Sequence, residues 1–229
     1  MRVIHTAIQF VITVKTVHSV IVFSVYRKKN SIQHRHTKKI QGTLVIPRNK
    51  SKAQAECERV YQWARPHIKN FKHAVDVGAR QGFFARNLEN DFKHTHCFDF
   101  RDKRKEFAKV INEAHRFTYH VIGLGESERL SHTTNTRVGR IKEGGTVAVP
   151  IRTLDSFNIA DVGFIKYDIE GFETKAIKGS ENTIKSSWPV VVVEQNRGDM
   201  DAVELLESWG YRCMGGFQTR NQDFLCVKE

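Results

Sequence analysis

The stretch HAVDVGARQGFFARNLEND (His73–Asp91) opens with a short apolar run, breaks at a glycine-bearing turn and resumes in a helical run through Leu88. A short apolar strand leading through such a turn into a helix is how a strand–helix–strand unit begins. In the turn, Gly78 lets the backbone approach a ligand closely, and Gly82 allows tight contact between strand and helix. Backbone N–H groups at the start of the helix then face the ligand. The residues run V-D-V-G-A-R-Q-G rather than G-x-G-x-x-G, so the dinucleotide fingerprint is absent. Taken alone, the stretch also fits a plain tight turn.

The alternation continues on both sides. Ser51–Phe71 starts with a serine able to cap and places Ala55, Val60, Tyr61 and Trp63 near helical spacing. Downstream, HTHCFDF reads as a strand, RDKRKEFAKVINEA as a charged amphipathic helix and FTYHVIGLG as strand and turn. A loop-rich segment follows, with a hairpin predicted at Gly144–Gly145. VGFIKYDIEG is a strand, FETKAIKGSENTIKSS a helix, PVVVVEQ the most hydrophobic strand, and MDAVELLESWG a helix closed by Gly210. YRCMGGF and DFLCVK form a closing strand pair. The pattern predicts an α/β fold: a mostly parallel sheet with interior strands covered on both faces and an antiparallel C-terminal edge pair.

A chain of 229 residues suffices for one well-buried domain with an appendage. The net charge of +12 suggests a polyanionic partner until its distribution is considered. Residues 1–52 hold 11 Lys/Arg and no acid, whereas residues 53–229 hold 26 basic and 25 acidic residues. The basic character belongs to the extension, 1–52, and the domain, 53–229, is almost neutral. That disfavours a nucleic-acid groove in the domain and leaves the tail as the only candidate.

Within the extension, Val3–Tyr26 is 15/24 apolar and long enough for a membrane span. Lys15 and His18 near its centre argue against one, a central Lys costing roughly 2.5–3.5 kcal/mol on insertion scales. The extension reads as poorly ordered or membrane-associated, with contact through residues 3–26 left open. A basic linker follows, with a short strand expected at Thr43–Ile46. HRH (His34–His36) is a weak metal motif without supporting acids or cysteines. The four cysteines form no C-x-x-C pair. Cys97 and Cys226 lie in apolar stretches and read as buried reduced thiols, which points to a cytoplasmic, reducing compartment.

Asp99, ending HTHCFDF, lies 21 residues beyond Gly78, where a ribose-binding acid is expected at about 20. Phe100 beside it is placed either to pack on an adenine ring or to join the core.

VDVGARQGFF, CFDF, VPIRTLDSFNIADVGFIKYDIEGFETKAIKGSENTI and PVVVVEQ together resemble, in order, the FkbM family of S-adenosylmethionine-dependent methyltransferases. The likeness runs from about His73 to Gln195 and is most specific in TLDSF, FIKYDIEGFE and IKGSE. It implies the seven-stranded class I methyltransferase sheet, which is Rossmann-like, and S-adenosyl-L-methionine as cofactor. It also implies that Asp76, Gly78 and Gly82 line the methionine side and that Asp99 holds the ribose, with Ala79, Arg80, Phe83 and Phe100 as further cofactor-binding candidates; Arg80 either contacts the cofactor carboxylate or points towards an anionic acceptor. The family commonly has Asn where Arg80 stands, and an acid followed by Pro where Asp99–Phe100 stand.

Methyl transfer chiefly requires alignment of an acceptor, and a hydroxyl acceptor also needs a base for its proton. Asp168, at the carboxyl end of its strand, is the natural base. Glu170 shares that role or binds the acceptor, and Lys166, two residues before Asp168, projects to the same side. Glu194 and Gln195 end the next strand and are candidates for the same crevice. His120 is a weaker base candidate. A Mg²⁺ or Ca²⁺ site at Asp168 and Glu170 competes, but two or three carboxylates without further partners are weak support. Glu173 falls in the first helical turn, where the helix dipole favours negative charge. The leading reading is O-methylation of a small molecule, sugar or glycan. The alternatives are a nucleic-acid acceptor recruited by the basic tail and a non-catalytic binding module.

Overall fold

The computed structural model describes residues 9–17, 20–28, 39–40, 51–133, 147–196, 198–218 and 221–229. The chain separates into two units, Met1–Lys50 and Ser51–Glu229. In the first, β1 (Gln9–Val17) pairs antiparallel with β2 (Val20–Lys28), which pairs with β3 (Lys39–Ile40). The strand expected at Thr43–Ile46, the HRH tripeptide and the turn at Gly144–Gly145 lie outside the described residues. Among the described residues no helix is long and apolar enough to cross a membrane.

The second unit begins with α1 (Lys52–Ala64), opened by a reciprocal cap between Ser51 and Gln54. Then follow β4 (His73–Val77), α2 (Ala85–Leu88), β5 (His94–Asp99), α3 (Arg104–Phe107), β6 (Phe117–Val121) and β7 (Gly123–Leu124). Next come β8 (Arg129–Thr133), β9 (Val147–Arg152), β10 (Val162–Tyr167), α4 (Glu173–Lys178), α5 (Glu181–Ser187) and β11 (Val190–Asn196). The unit closes with α6 (Asp201–Ser208), β12 (Tyr211–Gln218) and β13 (Asn221–Lys228).

Seven strands form one sheet in the order β6-β5-β4-β10-β11-β13-β12. The first five are mutually parallel, and β13 runs antiparallel to both neighbours. This is the expected arrangement, antiparallel edge pair included. Strands β7, β9 and β8 make a separate small sheet. From β4 the chain winds outward to β5 and β6, then returns to β10 on the other side. The carboxyl ends of β4 and β10 therefore border the topological switch point, where open α/β sheets bind ligands.

Burial follows from the period of two. All six residues of β10 are buried. Ala74, Phe164, Val192 and Leu225 pack against Val60, Tyr61 and Ala64 of α1 and Leu88 of α2. Val75, Ile165, Val191 and Phe224 face Ala176, Ile184, Val203 and Leu206 of α4–α6. Each Val, Leu, Ile or Phe among them contributes roughly 1.5–3 kcal/mol.

Three expectations change. The helix predicted over Arg101–Ala114 is only one turn, because the Glu89 carboxylate captures the backbone N–H groups of Asn112 and Glu113 and turns the chain away. The helix predicted over Phe172–Ser187 is two: Asp155 accepts from the N–H groups of Asn182 and Thr183 and so starts α5 afresh. Cys226 is not a free thiol but is disulfide-bonded to Cys213, its directly opposite residue on β12. The premise for a reducing compartment falls with it. Cys97 is free and buried.

Candidate active site

The switch point is built by backbone before side chains take part. The Asp168 N–H donates to the Val77 carbonyl at 2.9 Å, while the N–H groups of Gly78 and Ala79 donate to the Phe98 carbonyl at 2.8 and 3.1 Å. These bonds gather the ends of β4, β5 and β10. A Cβ on Gly78 (φ +94°) would lie 1.9 Å from the Asp168 carbonyl oxygen, so only glycine fits. At Gly82 (φ +87°) a Cβ would strike the Phe107 ring at 2.7 Å; this residue packs the turn onto α3 and lines neither cleft described below. Arg80 has φ 46°, the left-handed region where Asn is enriched. That accounts for an Asn preference at this place in the turn.

Two clefts meet here. The first, about 240 Å³, is lined by Phe98, Asp99, Phe100, Ile122, Leu124 and Glu170, among others. The second, about 310 Å³, lies over the α1 face of the sheet and includes Asp76, Phe83, Lys166, Glu194 and Asp223. Gly78, Arg80 and Asp168 line both. Of the expected cofactor residues, Asp99 and Phe100 thus border the first cleft, Asp76, Ala79 and Phe83 the second.

Asp99 is more heavily bonded than the sequence suggests. Its Oδ1 accepts from the Arg101 N–H (2.8 Å) and Nε (3.0 Å), and its Oδ2 from the Arg80 N–H (3.1 Å) and Arg101 Nη2 (3.0 Å). A carboxylate has about four lone-pair sites, and all are used. Ribose hydroxyls reaching Asp99 must therefore displace the Arg101 guanidinium, which also lies over the Phe100 ring. Arg101 was not singled out in the sequence, although a basic residue two positions after a strand-ending acid is the signal for such a clamp.

Asp76 is the opposite case. It is 1% exposed, and its Oδ2 has no hydrogen-bond partner. Burial, opposed by Lys166, pushes its carboxyl up to about 7. A buried oxygen without a donor suits the ammonium of a bound amino acid moiety.

Across the sheet, the Lys166 ammonium lies 3.4 Å from Asp168 Oδ2 and 3.6 Å from Asp223 Oδ1. Its side chain is 5% exposed, so this is no surface ion pair. Burial alone lowers its pKa, but Asp168, Asp223 and Glu194 outweigh that and hold it protonated. Burial raises the Asp168 pKa, but Lys166 and a hydrogen bond with Glu194 hold it below the usual carboxylate value. Two hydrogen-bonded carboxyl groups need a proton between them.

Other candidates fall elsewhere. Gln195 points to the opposite face, where its Oε1 accepts from the Ala202 N–H at the start of α6. His120 stacks on Phe98 at 4.4 Å and meets His96 at 3.4 Å, lining neither cleft. Glu170, exposed at φ 57°, borders the first cleft only. Buried Glu173 does more than sit in a helix dipole: it accepts from the N–H groups of Ile169 (2.9 Å) and Gly171 (2.9 Å) and pins the loop after Asp168. Among the described residues no group of three or more His, Cys, Asp or Glu is arranged to hold a metal ion. Asp223, on the antiparallel strand, was missed; a lone acid just before the apolar run Phe224–Val227 was its only signal.

The profile of the family described as Methyltransferase FkbM domain matches residues 76–213, which carry both strand ends of the switch point. The chain belongs to the FkbM methyltransferase family. Among solved structures it resembles methyltransferase FkbM from Methylobacillus flagellatus KT, with 16% identity and a TM-score of 0.54. The alignment covers 78% of this chain and 56% of that one, so the chain spans little more than half of that relative. Precorrin-6y C5,15-methyltransferase from Geobacter metallireducens GS-15 aligns at 15% identity over 79% of this chain and 90% of its own, TM-score 0.48. An rRNA methylase from Streptococcus thermophilus aligns at 11% identity over 74% and 94%, TM-score 0.47. No curated protein matches the sequence.

Arg101→Ala is expected to lower the stability of the free protein by about 1–3 kcal/mol, through loss of charge-assisted bonds to a buried carboxylate. It is also expected to bind S-adenosylhomocysteine more tightly, because the ribose no longer competes with the guanidinium. Calorimetric titration beside a urea melt checks both; weaker binding would contradict the clamp.

Proposed function

We propose that this FkbM-family chain is an S-adenosylmethionine-dependent O-methyltransferase that acts on a hydroxyl of a small molecule, sugar or glycan. The observation that carries the reading is the meeting of two clefts at Gly78, Arg80 and Asp168. A cofactor and an acceptor have to meet at one point, and a carboxylate stands there.

The residues present suit the cofactor. The apolar first cleft, with Phe98, Phe100 and Ile122, takes the adenine, and Asp99 takes the ribose once Arg101 moves. The unpartnered Oδ2 of Asp76 takes the ammonium. When bound, S-adenosylmethionine supplies an electrophilic methyl group on a positively charged sulfur.

The chain's own part is alignment and proton handling. Asp168, ionised while the proton of its hydrogen bond with Glu194 stays on Glu194, receives the hydroxyl proton. Lys166 keeps Asp168 ionised between turnovers and fixes its orientation. Glu173 holds the loop behind it, so the carboxylate does not drift from the boundary of the clefts.

In cells supplied with deuteromethyl-methionine, the wild-type chain should yield a labelled product that Asp168→Asn lowers about 10²–10⁴-fold. The same variant should still bind S-adenosylhomocysteine normally. Undiminished labelling would remove Asp168 from the mechanism.

Asp76 links pH to both stability and binding. Its folded-state pKa of about 7 exceeds the ordinary 3.8, so its contribution to stability is full below about pH 4 and is lost as pH rises towards 7. Asp76→Asn should therefore make the free protein more stable at pH 8, by at most about 4 kcal/mol, with the gain vanishing near pH 4. It should also weaken S-adenosylhomocysteine binding. Thermal melts across pH and one titration test this pair; a variant that binds as well as wild type would refute the assignment.

A further inference from the structure

The second cleft extends from Asp168 along the α1 face of the sheet to the terminal strand β13. Its floor is set by register. Lys166 of β10 lies opposite Val192 of β11, Glu194 projects two residues further on the same face, and Asp223 is the direct cross-strand partner of Glu194. Three adjacent strands therefore place Lys166, Glu194 and Asp223 side by side, with Asp76 at the Gly78 end.

Acceptor oxygens dominate this floor. The Lys166 ammonium is engaged by Asp168 and Asp223. Two buried carboxylate oxygens lack a hydrogen bond: Asp76 Oδ2, on a residue 1% exposed, and Asp223 Oδ1, whose ion pair with Lys166 at 3.6 Å is too long for one. Leaving a buried polar atom unsatisfied costs about 1–3 kcal/mol, so such atoms in a cleft call for donors from a ligand. Arg59 and Arg80 also line the cleft, but with Lys166 these three cationic side chains face the five carboxyl groups of Glu56, Asp76, Asp168, Glu194 and Asp223, so an anion brought to the floor meets a surplus of like charge. If Asp76 serves the cofactor ammonium, Asp223 is left for the other reactant. Asp223 lies beyond the residues 76–213 that match the family.

Building on the methyltransferase reading, we propose that the second cleft is the acceptor subsite. Its Lys166–Glu194–Asp223 floor selects molecules that present several hydrogen-bond donors, hydroxyl or ammonium, and rejects phosphate esters. Asp223 and Glu194 accept those donors, and Lys166 keeps Asp223 in place beside Asp168.

The test uses the full chain saturated with S-adenosylhomocysteine and three probes at millimolar concentration: myo-inositol, glucosamine and glucose 6-phosphate. Saturation-transfer NMR should detect inositol, glucosamine or both, but not glucose 6-phosphate. Binding of the neutral polyol marks hydroxyl recognition, and of glucosamine alone ammonium recognition. Asp223→Asn and Glu194→Gln should each weaken the positive probe about tenfold, as expected for one hydrogen bond, while titration with S-adenosylhomocysteine confirms that each variant is folded. Glucose 6-phosphate binding as well as the others, no probe binding, or binding indifferent to both substitutions overturns the subsite. Failure of S-adenosylhomocysteine itself to bind overturns the methyltransferase reading instead, so the two failures are distinguishable.

Discussion

Everything in this site depends on a close contact between two backbones. The turn after β4 and the end of β10 touch where Gly78 meets the Asp168 carbonyl, and any side chain at Gly78 would collide with it. That contact, with the Asp168 N–H to Val77 bond, ties the glycine turn to the candidate base. Strand order puts the two ends side by side because the chain reverses its winding between them. One geometric fact thus sets both the partition into two clefts and the position of Asp168 between them.

Around that junction the protein buries charge that it does not fully pair. Asp76 is raised by burial, Asp168 and Glu194 share a hydrogen bond, and Lys166 serves two carboxylates. Such an arrangement does little for stability, since charges removed from water recover their solvation only with good partners. Its carboxylate oxygens without a hydrogen bond, on Asp76 and Asp223, both belong to residues that line the second cleft. Perturbed, under-satisfied groups gathered at a switch point are what a functional site looks like physically. The apolar faces of β10 and β11 carry the fold.

Much of this was legible in the residues. The alternation of strand and helix, the continuous apolar runs and the final strand pair led directly to the sheet. Gly78, Asp99 and Asp168 could be found because strand ends and turn glycines are local features. What depends on register between distant strands could not be read. Glu194 and Gln195 are neighbours in sequence, yet only Glu194 faces the cleft, because pairing with β10 and β13 sets the parity. Asp223 and the Cys213–Cys226 bond come from the same antiparallel register. The bonding state of Asp99 and the truncation of the helix after it by Glu89 depend on side chains competing for backbone and guanidinium groups. No periodicity carries that information.

The most direct test is a crystal structure of the full chain with S-adenosylhomocysteine. The account predicts the amino group of the ligand on Asp76, its adenosine between Phe98 and Ile122 with Arg101 turned away from Asp99, and its sulfur at the boundary formed by Gly78 and Asp168. A ligand whose sulfur faces away from Asp168, or one that leaves Asp76 Oδ2 without a partner, would contradict it.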